Sequence, residues 1–112
     1  VTREKFQNKV LKGRSAETFV CEDLIKKKLI ILYRNKRING VEVDILAKKN
    51  NEIFIIEVKK HYWVGSGFEE IISKDQLARL KKVQRNLESS TLFKVSLILA
   101  HLQNQKIDFI SL

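Results

Sequence analysis

Asp44, Glu57 and Lys59 are the residues of this chain whose types and spacing suit chemistry at one site. Val41–Ala47 and Glu52–Lys60 both alternate between apolar and polar residues, and Asn50-Asn51 between them is a turn signal, so the two runs read as a β-hairpin. A symmetric two-residue loop pairs Asp44 with Glu57, Glu42 with Lys59, Val43 with Val58 and Ile45 with Ile56. One face is then apolar, through Val41, Val43, Ile45 and Ala47 against Phe54, Ile56 and Val58, while the other begins with three carboxylates and a lysine. Directly opposed like charges, with Cβ atoms about 4.5–5.5 Å apart, destabilise a sheet unless something compensates them. A divalent cation compensates. Mg²⁺ takes oxygen ligands and accepts one or two carboxylates plus a substrate phosphate, and Mn²⁺ is chemically acceptable. Zn²⁺ fits poorly because the cluster holds neither sulfur nor imidazole. Lys59, one strand period beyond Glu57, points the same way and suits orienting or deprotonating a water, or offsetting charge on a phosphate under attack. A lone Glu-x-Lys is weak evidence, and its bland reading is a surface salt bridge. Flanking residues Ile53, Ile55, Ile56 and Val58, and the opposed aspartate, favour the site.

The elements that must position these residues follow from periodicity. Ala16, Phe19, Val20, Leu24 and Ile25 make an apolar stripe at helical spacing over Ser15–Lys28, and the closing Lys26-Lys27-Lys28 suits the helix dipole. Leu29–Tyr33 reads as a first strand, followed by a polar stretch, Arg34–Arg37, and the turn Asn39-Gly40. Leu77, Leu80, Val83 and Leu87 return to helical period over Ser73–Leu87, with Ser73 and Gln76 spaced as a capping box. Phe93–Ala100 and Ile107–Leu112 read as two more strands. The expectation is an α/β chain of order αβββαββ, a mixed sheet covered by helices in a single domain over residues 1–112.

The net charge of +9 favours polyanionic partners. The excess is uneven: residues 1–40 hold 11 Lys or Arg against 4 Asp or Glu, and residues 41–112 hold 11 against 9. A solvated basic surface explains this as readily as phosphate binding does. With one cysteine, Cys21, neither an internal disulfide nor a cysteine-rich zinc site can form, and Cys21 reads as helix packing. His61 and His101 are distant in sequence and read as ordinary packing or surface residues. No apolar run approaches the roughly 18–20 residues of a membrane span, and Val1–Lys12 has no signal-peptide pattern, so the reading is a soluble, cytoplasmic protein.

Five stretches together resemble the YraN family, which is similar to Holliday junction resolvases of the PD-(D/E)XK nuclease superfamily. They are Lys12-Gly13-Arg14-Ser15-Ala16-Glu17, Arg34-Asn35-Lys36-Arg37, Gly40-Val41-Glu42-Val43-Asp44-Ile45-Leu46-Ala47, Ile55-Ile56-Glu57-Val58-Lys59, and Ser73-Lys74 to Arg79-Leu80. The resemblance implies a PD-(D/E)XK core and Mg²⁺-dependent (or Mn²⁺-dependent) endonucleolytic hydrolysis of DNA, including structured or branched DNA. It places the metal-binding Asp and Glu on Asp44 and Glu57, the lysine on Lys59 and a helical acidic residue on Glu17. Two departures stand out: Val41 separates Gly40 from Glu42, and Lys60-His61-Tyr62-Trp63 follows where the family has a small or hydroxyl residue and then arginine.

Phosphate-contacting candidates are Lys12, Arg14, Arg34, Arg37 and Lys74. Glu17, in a first helical turn, and Lys74, near a helix start, also have bland readings as dipole partner and solvated lysine. Tyr62, Trp63 and Phe68, around Gly65 and Gly67, suit base stacking, core packing or a partner interface. Three functions remain in play: a metal-dependent nuclease, a catalytically silent nucleic-acid-binding module of the same fold, and an interaction module recruiting a partner through the Tyr62–Phe68 loop. A homodimer would suit paired cuts.

Overall fold

A computed structural model describes residues 15–60 and 72–112. Along the chain come α1 (Ala16–Lys26), β1 (Ile30–Ile38), β2 (Val41–Lys49), β3 (Glu52–Lys60), α2 (Lys74–Ser90), β4 (Lys94–Gln103) and β5 (Lys106–Ser111). The strands form one mixed sheet in the order β1-β2-β3-β4-β5. β3 and β4 pair in parallel across the connection that contains α2, and the other neighbours are antiparallel. The expected element order is present.

Local chemistry explains the boundaries. Ser15 caps α1 by accepting from the Thr18 N–H at 3.1 Å, and Lys28, at φ +72°, ends the helix in the left-handed region. Asn39 and Gly40 both have positive φ, the geometry a two-residue hairpin turn needs, and Asn104 and Gln105 repeat it between β4 and β5. Asn50-Asn51 joins β2 to β3 with Lys49 opposite Glu52, as expected from the sequence.

Each helix covers one face of the sheet. On the α1 side, Val20, Cys21 and Leu24 pack with Ile45, Ala47, Ile56 and Ala100; on the α2 side, Leu80 and Val83 pack with Val43, Leu46, Ile53, Ile55, Val95 and Leu97. β3 is central and buries side chains on both faces.

Two strand readings are corrected. The first strand does not end at Tyr33: the polar stretch Arg34–Arg37 continues β1, pairing Arg34 with Ile45 and Arg37 with Glu42. β1 is an edge strand and mostly exposed, so it needs no apolar alternation. The second correction concerns β2, whose side chains do not alternate without interruption. Ile45 and Ala47 pack on the α1 side, but Val43 and Val41 pack on the α2 side together with Leu46. The switch falls at Asp44. There the β1 ladder skips from Arg34–Ile45 to Lys36–Val43, with Asn35 at φ +51°, a conformation asparagine tolerates better than most residues.

Leu80 is 1% exposed in the α2-side core, whereas Leu92 lies fully in solvent. Leu80→Ala should lower unfolding free energy by about 2–5 kcal/mol, and Leu92→Ala should change it by less than about 0.5 kcal/mol. Urea midpoints of the two variants check this partition.

Candidate functional site

β2 and β3 part company at Asp44. Their ladder runs from Lys49–Glu52 to Ile45–Ile56 and ends there. Beyond that point β3 continues with β4, through Glu57–Leu99 and Lys59–His101, while β2 continues with β1. The expected backbone pairings of Asp44 with Glu57, Val43 with Val58 and Glu42 with Lys59 are therefore not formed. A side chain replaces them: the Val58 N–H donates to Asp44 Oδ2 at 2.9 Å. Asp44 thus satisfies a backbone donor that the fork would otherwise orphan.

The fork nevertheless brings the two carboxylates together on the α2 side. Glu57 is 5% exposed and is the buried charged residue among those described. Its Oε1 accepts from Gln76 Nε2 at 2.7 Å and lies 3.6 Å from Lys59 Nζ. Burial first, and then the charge and shared hydrogen bond of Asp44, push the Glu57 carboxyl up from 4.5 to about 7, against the opposing pull of Lys59 and Gln76. Lys59 is about one-third exposed, so its amine reaches from the buried carboxylate toward solvent.

Glu17 stands apart from this cluster. It lies on the sheet-facing stripe of α1 with Val20, Cys21 and Leu24, half-buried on the opposite face from α2. Arg34 holds the start of α1 level with the fork, donating to Thr18 Oγ1 at 2.8 Å and toward Ser15 Oγ at 3.5 Å. Glu17 is not among the groups that act on Glu57. Among the described residues, no set of three or more His, Cys, Asp or Glu side chains is grouped to hold a metal ion. The structure joins Asp44, Glu57 and Lys59 and leaves Glu17 outside.

The basic candidates divide as well. Arg34 is engaged with α1, and Arg37 Nη1 donates to the Gly40 carbonyl at 3.2 Å. Lys74 is exposed at the first position of α2. Lys12, Arg14 and the Tyr62–Phe68 loop with His61 lie outside the described residues.

Two neighbours escaped the sequence reading. Gln76 had a sufficient local explanation as the partner of Ser73 in a capping box. His101 looked remote, yet the parallel register sets it directly beside Lys59. A polar side chain at the start of the helix after Glu-x-Lys was the signal for Gln76; for His101 there was none without the strand pairing. Cys21 is buried packing, as expected, and burial raises its thiol pKa.

A family model described as "Uncharacterised protein family UPF0102" matches residues 16–112. A UPF0102 protein of Thermotoga petrophila is 43% identical over 82 residues, covering 71% of this chain and 67% of that protein. A UPF0102 protein of Dictyoglomus thermophilum is 35% identical over 72 residues, covering 63% of this chain and 61% of that protein. A third, from Caldicellulosiruptor saccharolyticus, is 39% identical over 77 residues, covering 68% and 65%.

The raised Glu57 pKa has a sign that stability measurements can read. The folded chain keeps a proton that the unfolded chain releases above 4.5, so this contribution is complete below pH 4.5, falls as pH rises toward 7 and is lost above it. Glu57→Gln cannot titrate. Its stability relative to wild type should therefore climb across that window and level off above about pH 7, a total gain of about 3 kcal/mol. Urea unfolding between pH 4.5 and 8.5 in EDTA measures it, and a pH-independent difference would contradict the assignment.

Proposed function

This chain belongs to the uncharacterised protein family UPF0102, the YraN family, and we propose that it hydrolyses phosphodiester bonds in DNA with Mg²⁺ or Mn²⁺ at Asp44 and Glu57. The observation that carries this reading is a carboxylate only 5% exposed, beside a second carboxylate, with an amine 3.6 Å away, where two strands separate. Burying a charge against a like charge costs stability and has no packing rationale. The donors are all oxygen, which fits a hard divalent cation that keeps several waters. When bound, such a cation supplies Lewis acidity toward a phosphate oxygen.

The chain's own groups do the rest. Asp44 and Glu57 would hold the cation at the fork, and Lys59 would orient a water or neutralise charge developing on the phosphate. The mixed sheet and the order αβββαββ are compatible with a PD-(D/E)XK core. For the DNA backbone, α2, whose first turn reaches Glu57 through Gln76, carries exposed cations along its length. Lys74, Arg79, Lys81, Lys82 and Arg85 are exposed, and among the described residues they make no hydrogen bond or ion pair. Glu17 would act from the α1 side of the fork rather than as a ligand within the pair.

A binding-only module of the same fold is the second reading. The separation of Glu17 from the other acidic residues favours it.

Duplex, single-stranded and four-way-junction DNA, each incubated with Mg²⁺, Mn²⁺ or EDTA, separate the two readings. The enzyme reading expects divalent-dependent cleavage of at least one form. Asp44→Asn and Lys59→Ala should each lower that rate by about 10²–10³-fold or more, with melting in EDTA at or near wild type. No cleavage of any form, or variants as active as wild type, transfers the site to the binding module. Arg79→Glu with Lys82→Glu should weaken DNA binding and flatten its dependence on salt, because fewer counterions are released. Unchanged affinity would move the DNA away from α2.

A further inference from the structure

We infer that Gln76 is a positioning residue for Glu57: its side-chain amide fixes the orientation of the carboxylate and so sets the affinity of the Asp44–Glu57 pair for a divalent cation. The inference rests on the cation reading of that pair. It starts from a hydrogen bond that local sequence chemistry does not predict.

In a complete capping box the Gln76 side chain would return to the Ser73 backbone. Only half of that box is built here. Ser73 Oγ accepts from the Gln76 N–H at 3.1 Å, while Gln76 Nε2 instead donates to Glu57 Oε1 at 2.7 Å. The helix start is thus secured by serine alone, and the amide is assigned to the neighbouring strand.

The support behind the amide is rigid. Leu80, one turn further along α2, and Val83 are at most 1% exposed and pack against Ile53, Ile55 and Val95. Gln76 therefore approaches Glu57 from a helix locked onto the same sheet face. Glu57 Oε1 accepts from the Gln76 amide at 2.7 Å and has the Lys59 ammonium 3.6 Å away as an ion pair, so both partners lie on the Oε1 side. Holding Oε1 on this side leaves Oε2 as the oxygen to share a cation with Asp44.

The chemistry of the donor also matters. An amide orients a carboxylate without adding charge, whereas an ammonium in its place would pair with Glu57 and repel a cation. A residue serving only to satisfy a buried carboxylate would be replaced at least as well by lysine. Neutral donors holding the ligands of metal sites typically change affinity 10–100-fold when removed.

Mn²⁺ titration by calorimetry tests this on wild type, Gln76→Ala and Gln76→Lys, with melting in EDTA beside it. Wild type should bind Mn²⁺, Gln76→Ala should bind it about 10–100-fold more weakly, and Gln76→Lys should melt at or above wild type while losing Mn²⁺ binding. The lysine variant keeps the test decisive where the alanine variant folds poorly. Wild-type binding with equal affinity in the variants overturns the role of Gln76 alone. No Mn²⁺ binding by wild type overturns the cation reading and this inference with it.

Discussion

The bond from the Val58 N–H to Asp44 Oδ2 is the constraint on which the rest of the site depends. In an uninterrupted hairpin that N–H would meet a β2 carbonyl, and Asp44 and Glu57 would face each other as a bare cross-strand pair. The carboxylate ends the ladder and satisfies the donor that ending it exposes. β2 then diverges with β1, and β3 stays bound to β4 through Lys60–Leu102, so neither strand is loose beyond the fork. Opening the sheet does not mean softening it. Glu57 and Lys59 project from a strand still held along one edge, so their relative placement is fixed.

That geometry sets the electrostatics. Glu57 lies among side chains such as Ile55 and Leu99 that offer a carboxylate no solvation, and its neighbour at the fork carries the same charge. Lys59 and Gln76 act in the opposite direction, but the net result is still a carboxyl raised to about 7. Two stabilising partners do not cancel one burial and one repulsion. The fold tolerates a group that a hydrophobic residue of similar size would replace with a gain in stability. Packing alone gives no account of such a group.

Much of this was legible in the sequence wherever local rules govern. The turn at Asn50-Asn51 and the register from Ile45–Ile56 to Lys49–Glu52 follow from alternation and turn chemistry, and the cap of α2 sits at the expected Ser73. The failures share a cause. Alternation assumes a strand that does not switch faces, so Val41 and Val43 were assigned to the wrong side of β2 once Asp44 broke the pattern. The first strand reads as ending at Tyr33, short of Arg34–Arg37, because an edge strand can be polar on both faces. Gln76 was assigned to its own helix because the capping box was a sufficient local account. His101 became a neighbour of Lys59 only through a parallel pairing that no local pattern announces.

That parallel pairing explains why the polar cluster gathers where it does. Adjacent parallel strands require a crossover, and α2 lies within the connection between β3 and β4. The connection leaves from the end of β3 that carries Glu57 and Lys59, so α2 presents its N-terminal turn, not its C-terminal one, to the buried carboxylate; the Gln76–Glu57 bond fixes that approach. A helix N-terminus is the end that favours negative charge. In open α/β sheets the carboxyl ends of parallel strands gather functional residues for this reason: strand ends and helix starts converge there. Here the two parallel strands bring Lys59 and His101 side by side at that end, and the antiparallel neighbour contributes Asp44 by turning away at the right residue. A hairpin alone would have held two carboxylates in repulsion; a hairpin opened beside a parallel crossover gives them a backbone donor, an amide and an amine.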